Sequence, residues 1–221
     1  MKGATILFRE LSPDYDWEDR FNEWYDNHYI PIRMKAPGFL SAQRYKDTDR
    51  PNYLTVYELE SQSALETKEY LNIQEHPNAE TKWVLSNVAA ATRYIGNEIS
   101  SQWRDDAGAD GLDASFIYSV FFSVPDEAAD AFNAWYTEEH VPMLLKCSDW
   151  LGCRRFLISE GDPQPWTHLA LHYIADMSAF DSPEREAARS TELRQKLSEE
   201  PWFNASTLVY ERWGDRFMAE R

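Results

Sequence analysis

Basic residues are scarce: 22 Lys and Arg face 38 Asp and Glu, a formal net charge of −16 over 221 residues. Nucleic acids and anionic membrane surfaces both require a basic face, so neither is expected as a partner. Cysteine is scarcer still. Cys147 and Cys153 are too few for a disulfide framework and fit no zinc spacing, which points to reduced thiols in a cytoplasmic protein. No apolar stretch approaches the roughly 20 residues that cross a bilayer. The opening Met1-Lys2-Gly3-Ala4-Thr5-Ile6-Leu7-Phe8-Arg9-Glu10 has a short apolar run broken by charge and reads as a first strand, not a signal peptide. P-loop, GxGxxG, GxSxG, HExxH and CxxC motifs are all absent, which removes many common enzyme classes.

What is abundant is aromatic surface. Nine Trp, 12 Tyr and 11 Phe make up 14% of the chain, enough to fill a core or to line a pocket for a flat, apolar ligand. The aromatics also mark an internal repeat. A shift of 111 positions lays Phe21, Asn22, Trp24 and Tyr25 on Phe132, Asn133, Trp135 and Tyr136. It then lays Pro31, Lys35, Leu40 and Arg44 on Pro142, Lys146, Leu151 and Arg155. Chance would give about one or two such identities over that span. Further on the shift becomes 115, pairing Leu54, Val56 and Leu59 with Leu169, Leu171 and Ile174. The added residues fall in the turn-rich Glu160-Gly161-Asp162-Pro163-Gln164-Pro165, where insertion costs little.

The expected organisation is a first repeat over 1–104, a polar linker over 105–114 and a second repeat over 115–221. Each half reads as strand, helix, strand, strand, helix, strand. That order is the ferredoxin-like split βαββαβ unit. A sheet covered by helices on one side leaves its other side bare. The expected fold class is therefore α+β, with two ferredoxin-like repeats packed sheet-to-sheet as a pseudo-twofold α+β barrel.

The pattern Phe21-x-x-Trp24-Tyr25-x-x-His28-x-x-Pro31, followed by Gly38-Phe39, resembles the dimeric α+β barrel superfamily, in particular its EthD-like branch. The second half repeats it as Phe132-x-x-Trp135-Tyr136-x-x-x-His140-Val141-Pro142, so the resemblance spans nearly the whole chain. It implies fold more strongly than activity. Members include cofactor-independent cyclases, isomerases and decarboxylases of aromatic or polyketide-like molecules, haem-degrading or quinone-forming monooxygenases, and proteins without known function. Ser148-Asp149-Trp150 stands where the first half has Pro37-Gly38-Phe39, so the two halves should not carry equivalent pockets.

Candidate chemistry follows from spacing. Phe21, Trp24, Tyr25 and His28 fall on one helix face, matched by Phe132, Trp135, Tyr136 and Glu139, with His140 at the stripe's edge. Pro31 and Pro142 disfavour helix before them, which places His28, Glu139 and His140 in a last turn. A glutamate there opposes the helix dipole and so hints at function. On the third strands, alternation sets Tyr53, Thr55 and Tyr57, and likewise His168, Ala170 and His172, on one face, read as facing the other half. His168 and His172 lie about 13 Å apart along a strand and cannot share one ion, so no metal is expected.

The leading expectation is a cofactor-independent lyase, cyclase or isomerase acting on a small aromatic or cyclic ketone-like compound. His140 or His172 would move the proton, with His28 as the first-half counterpart. Tyr25, Tyr57 or Tyr136 would hold the oxyanion, and Glu139 would orient or replace the histidine. Tyr53, Arg44, Arg155, Trp166 and His168 are candidate substrate contacts, Trp166 as a residue that closes over a pocket. The alternatives are a non-catalytic binding or interaction protein and a haem or quinol-type monooxygenase. Whether the chain pairs as a homodimer is open.

Overall fold

The computed structural model describes residues 2–107, 109–163 and 165–219. Gly108 of the expected linker, Gln164 of the expected insertion and the extreme terminal residues Met1, Glu220 and Arg221 lie outside the described residues. Backbone proximity divides the chain into two units. One comprises Met1–Asn97, Ser159–Pro163 and Trp213–Arg221, the other Glu98–Ile158 and Gln164–Arg212.

The strands of the first unit are β1 (Thr5–Ser12), β2 (Phe39–Asp47), β3 (Tyr53–Leu59) and β4 (Ala90–Trp103), the last of which ends in the second unit. All pairings are antiparallel, and the order is β4-β1-β3-β2. A bulge between Phe39 and Ser41 shifts the register of β2 on β3. The strands of the second unit are β5 (Phe116–Phe122), β6 (Trp150–Asp162), β7 (His168–Ile174) and β8 (Ser206–Met218), in the antiparallel order β8-β5-β7-β6, with the ends of β6 and β8 assigned to the first unit. Its bulge falls between Trp150 and Gly152, the positions that the 111-residue shift matches to Phe39 and Ser41.

Helix α1 (Glu18–Trp24) runs through a π turn, Tyr25–Tyr29, into α2 (Ile30–Met34). Two further helices of the first unit are α3 (Lys68–Glu75), capped by the Thr67 hydroxyl, and α4 (Ala79–Asn87), capped by the Asn78 side chain. Each cap oxygen accepts a backbone N–H that the helix cannot satisfy itself. In the second unit α5 (Asp126–Ala134) runs through a π turn, Trp135–His140, into α6 (Val141–Leu144). There α7 (Pro183–Arg189) and α8 (Glu192–Ser198) start at Ser182 and Thr191. No helix among the described residues is long and apolar enough to cross a membrane.

Two expectations are corrected. Pro31 and Pro142 do not end their helices: each sits in the first turn of the segment after the π turn. A proline there needs no N–H partner, and the π turn absorbs the change of hydrogen-bond register. His28, Glu139 and His140 are therefore mid-helix, and the dipole argument for Glu139 falls away. The second correction concerns direction. Tyr53 and Tyr57 pack with Phe21, Trp24 and Tyr25, and Ala170 with Trp135 and Tyr136, so this strand face looks at the helices of its own unit. Alternation sorted the residues into faces correctly, but β3 and β7 are buried along their whole length. With both faces apolar, hydropathy does not say which one meets a helix.

Candidate active site

The second unit holds a half-open cavity of about 400 Å³ between its sheet and its helices, lined by residues that include Tyr118, Trp135, Tyr136, His140, Trp150 and His172. That volume suits a small ring compound. β7 delivers His172, the π turn delivers Tyr136 and His140, and the start of β6 delivers Trp150.

His172 is 1% exposed. The Trp150 indole Nε1 lies 3.0 Å from its Nδ1, and the Tyr136 hydroxyl lies 2.8 Å from its Nε2. An indole N–H can only donate, so Nδ1 must accept and the imidazole proton sits on Nε2. His172 Nε2–H then donates to the Tyr136 oxygen, which leaves the tyrosine's own proton to point at a ligand. Burial, with His140 and Arg155 adding repulsion, holds His172 well below its ordinary pKa. Burial also raises Tyr136 well above its usual value, with Cys153 adding to the rise and Arg155 opposing it. Near neutral pH the pair is therefore an uncharged imidazole and an intact phenol.

His140 has the opposite tautomer. Its Nδ1 lies 3.2 Å from the Ala188 carbonyl oxygen, an acceptor, so Nδ1 carries the proton and Nε2 presents a lone pair. Burial first, then repulsion from Arg194, Arg189 and Arg155, lowers its pKa to about 4. Its ring packs 4.7 Å from Trp135 and 5.2 Å from Tyr136, centroid to centroid. One neutral base and one polarised donor thus line the same cavity.

Arg155 is buried beneath Tyr136, its guanidinium 4.4 Å from the ring centroid. It donates to the Asn133 side-chain oxygen at 2.6 Å, to the Thr137 hydroxyl at 3.0 Å and to the Asn133 carbonyl at 3.3 Å. All three acceptors are neutral. Its first-unit counterpart Arg44 reaches Asn22 at 2.6 Å but also the Asp26 carboxylate at 2.7 Å. Burial lowers the pKa of Arg155, and its charge projects towards Tyr136.

The other expected site residues are placed elsewhere. Glu139 is half-buried and does not line the cavity, and its Oε1 has no hydrogen-bond partner. His168 is buried, edge-on to Phe132, with Nδ1 2.9 Å from the Thr167 hydroxyl, and does not line the cavity. Trp166 packs on Phe121 and closes over nothing in the lining. In the first unit, Tyr25 and Tyr57 are fully buried, Tyr53 donates to Glu18 at 2.5 Å, and His28 meets Asn78 at 3.0 Å. The sequence reading missed Trp150 as the group that fixes the His172 tautomer. It also missed Arg185, Arg189 and Arg194, which line the cavity from α7 and α8. Trp150 and Arg185 carried a signal, since they depart from Phe39 and Tyr70 at matched positions; Arg189 and Arg194 carried none. Cys153 lies 3.9 Å from His172 Nε2, but burial pushes its thiol up to about 12, so it is no nucleophile. No group of three or more His, Cys, Asp or Glu placed to hold a metal occurs among the described residues.

No protein-family profile matches the chain, and no curated protein matches it. Solved structures do. An anthrone oxidase-like protein superposes with a TM-score of 0.73 at 11% identity, covering 98% of this chain and 94% of its own. A proposed monooxygenase from Fusobacterium nucleatum gives a TM-score of 0.60 at 10% identity, covering 99% and 96%. A mutant chlorite dismutase from Candidatus Nitrospira defluvii, in complex with cyanide, gives 0.60 at 8% identity, covering 97% and 92%. Identities this low speak to fold alone, and at that level these neighbours are dimeric α+β barrel proteins, as the resemblance in the sequence implied.

Proposed function

We propose that the cavity of the second unit is an active site that moves a proton on a small aromatic or cyclic ketone-like compound. His140 is the base: its Nε2 lone pair takes the proton next to the substrate carbonyl. Tyr136 donates its hydroxyl to the carbonyl oxygen as charge develops there, and His172 Nε2–H, donated to the same phenol oxygen, supports the negative charge passed to it. The nearby Arg155 cation favours that charge further. The observation that carries this reading is the Trp150-to-His172 hydrogen bond, because it puts the imidazole proton on Nε2 and so leaves the Tyr136 proton free of that nitrogen. The resulting enolate can be reprotonated elsewhere, as in an isomerase, can expel a group from the neighbouring carbon, as in a lyase, or can attack a second carbonyl of the same molecule, whose oxygen then takes up the proton, as in a cyclase. No cofactor is needed for any of these steps.

A second reading is favoured by the names of the neighbours. If dioxygen is the co-substrate, the same proton removal generates the electron-rich enolate that it oxidises, as suits a monooxygenase acting on an anthrone-like ring. A haem version would use His140 Nε2, since both ring nitrogens of His172 are engaged. We further infer that the chain is a tandem duplication of one βαββαβ unit of the EthD-like type, split near residues 105–114. Support comes from the matched identities, the common strand order and the matched bulges.

The test is deuterium uptake into 2-tetralone and anthrone in heavy water, followed by NMR with an oxygen electrode in parallel. Exchange without oxygen uptake supports the lyase or isomerase reading, and exchange with uptake supports the oxygenase. Neither, in a protein that binds these compounds, leaves a binding protein. His140→Gln should slow exchange about 10²- to 10⁴-fold. A Soret band after haemin addition that is lost in this variant would favour the haem version.

A further inference from the structure

The chain is strongly acidic, yet the cavity lining has no Asp or Glu among the described residues and has three arginines, Arg185, Arg189 and Arg194. Arg185 and Arg189 come from α7 and Arg194 from α8. Arg185 donates to the Phe180 carbonyl at 2.7 Å and Arg194 to the Arg189 carbonyl at 3.3 Å. Neither bond neutralises charge, and no carboxylate forms an ion pair with any of the three among the described residues. A guanidinium carries five N–H donors in a fixed fork, so most of their donor capacity is unspent.

Helix electrostatics do not account for the cluster. Arg189, in the last turn of α7, suits the negative helix end. Arg194 does not: it lies in the first turn of α8, where a cation is unfavourable. Arg185 stands opposite a different solution in the first unit, because the 115-residue shift matches it to the buried Tyr70.

We propose that the compound held in this cavity is an organic anion, an aromatic or cyclic carboxylate. Its ring lies against Trp135, Tyr136 and Trp150, and its charged group meets Arg185, Arg189 and Arg194. The aromatic walls select an organic anion over an inorganic one, and the planar forks suit a carboxylate.

The same anion acts on the base. The groups facing His140 are Tyr136 and Glu139 beside it, Arg155 from β6, His172 from β7, Arg189 from α7 and Arg194 from α8. Three of these are the arginines that repel a proton from His140. An anion seated against Arg189 and Arg194, two of the three, offsets part of that repulsion, so occupancy raises the basicity of His140. This last step rests on the proton-transfer reading above, whereas the binding claim does not.

The experiment compares 2-naphthoate with 2-acetonaphthone, a neutral ketone on the same ring, by calorimetry on the full chain. Naphthoate should bind about tenfold or more tightly, as a charge-assisted contact predicts. The advantage should shrink with added salt and fall severalfold in Arg185→Gln/Arg194→Gln, which leaves Arg189 alone to meet the carboxylate. Arg185→Lys/Arg194→Lys should retain part of it, and near-ultraviolet circular dichroism should show both variants folded. Equal affinity for the two probes, no naphthoate binding at millimolar concentration, or inorganic phosphate binding as tightly as naphthoate overturns the proposal. So does an undiminished preference in the folded Gln variant. A naphthoate preference without any deuterium exchange upholds the anion and sinks the proton-transfer reading alone. Exchange into 2-tetralone without an anion preference does the reverse.

Discussion

The two units share a scaffold and differ in what they enclose. Phe21, Asn22, Trp24, Tyr25 and Arg44 recur as Phe132, Asn133, Trp135, Tyr136 and Arg155, and in both units the arginine lies over the tyrosine ring. At other matched positions the first unit carries bulk. Tyr29, Tyr57 and Tyr70 are buried in one cluster, and the buried Arg33 stacks 3.3 Å from the Tyr29 ring. The second unit has His140, His172, Arg185 and Leu144 at these places, and all four line its cavity. Cavities form where side-chain volume is removed and neighbours do not collapse inward. The shared residues hold helix to sheet, and chemistry enters at the positions where volume has been given up.

Restoring the first unit's residues breaks this difference most directly. His140→Tyr with Leu144→Arg imports the Tyr29–Arg33 stack into the second unit. It should abolish ligand binding and slow 2-tetralone exchange by more than about 10²-fold, since base and space are lost together. Unchanged exchange in the folded double variant would mean that the cavity is not the site. Tyr136→Phe is milder. It should cost about 10²-fold in exchange and roughly 1–3 kcal/mol in stability, because His172 Nε2–H is left buried without an acceptor.

Titration sharpens the comparison next. In the second unit burial lowers His140 and His168 to about 4 and His172 well below its ordinary value. These groups are protonated in the unfolded chain below about pH 6.5 but neutral in the folded one, so the unfolded state binds more protons. Their contribution is complete above pH 6.5 and is lost as pH falls from 6.5 towards 4, at up to ~1.4 kcal/mol per pH unit for each histidine. The alkaline counterparts are buried phenols of both units, Tyr25 and Tyr57 in the first and Tyr136 in the second, all raised by burial. Their folded forms keep a proton that the unfolded chain releases near pH 10, so their contribution is lost as pH rises above 10. Urea unfolding across pH should therefore show an acid limb that flattens in His140→Gln/His168→Gln. The alkaline limb should be unmoved by those changes. An acid limb of the same slope in the double variant would refute the assignment.

The sequence made the elements legible and the site only in part. β7 is legible in its residues, since the apolar run His168-Leu-Ala-Leu-His-Tyr-Ile174 is bounded by turn residues. The full lengths of β4 and β8, 14 and 13 residues, are not legible, because their continuations are polar and alternate weakly. Tyr136, His140 and His172 were legible as ionisable or phenolic groups on apolar faces. Their roles were not, because a tautomer depends on partners far apart in the chain: Trp150 for His172 and Ala188 for His140. Among the cavity arginines only Arg185 stands out, as a charge where the repeat has Tyr70; nothing in the pattern separates Arg189 and Arg194 from ordinary surface charge.

The smallest expected effect tests the exchange of Asp26 for Thr137. In the first unit Arg44 has a carboxylate within 2.7 Å, whereas Arg155 has a hydroxyl at the matched place. Removing one partner of a fully buried pair costs about 3–5 kcal/mol. Asp26 is 36% exposed, so solvent screens the pair and Asp26→Thr should cost only about 1 kcal/mol. The reciprocal Thr137→Asp supplies Arg155 with a counterion, and stability should rise or stay level. Naphthoate affinity should fall slightly, because one of the charges that makes the cavity positive is then neutralised. Opposite signs from the two substitutions would show that the second unit keeps its buried cation unpaired for the ligand. A loss of stability from both would assign Thr137 to packing, and the positive cavity would then rest on Arg185, Arg189 and Arg194 alone.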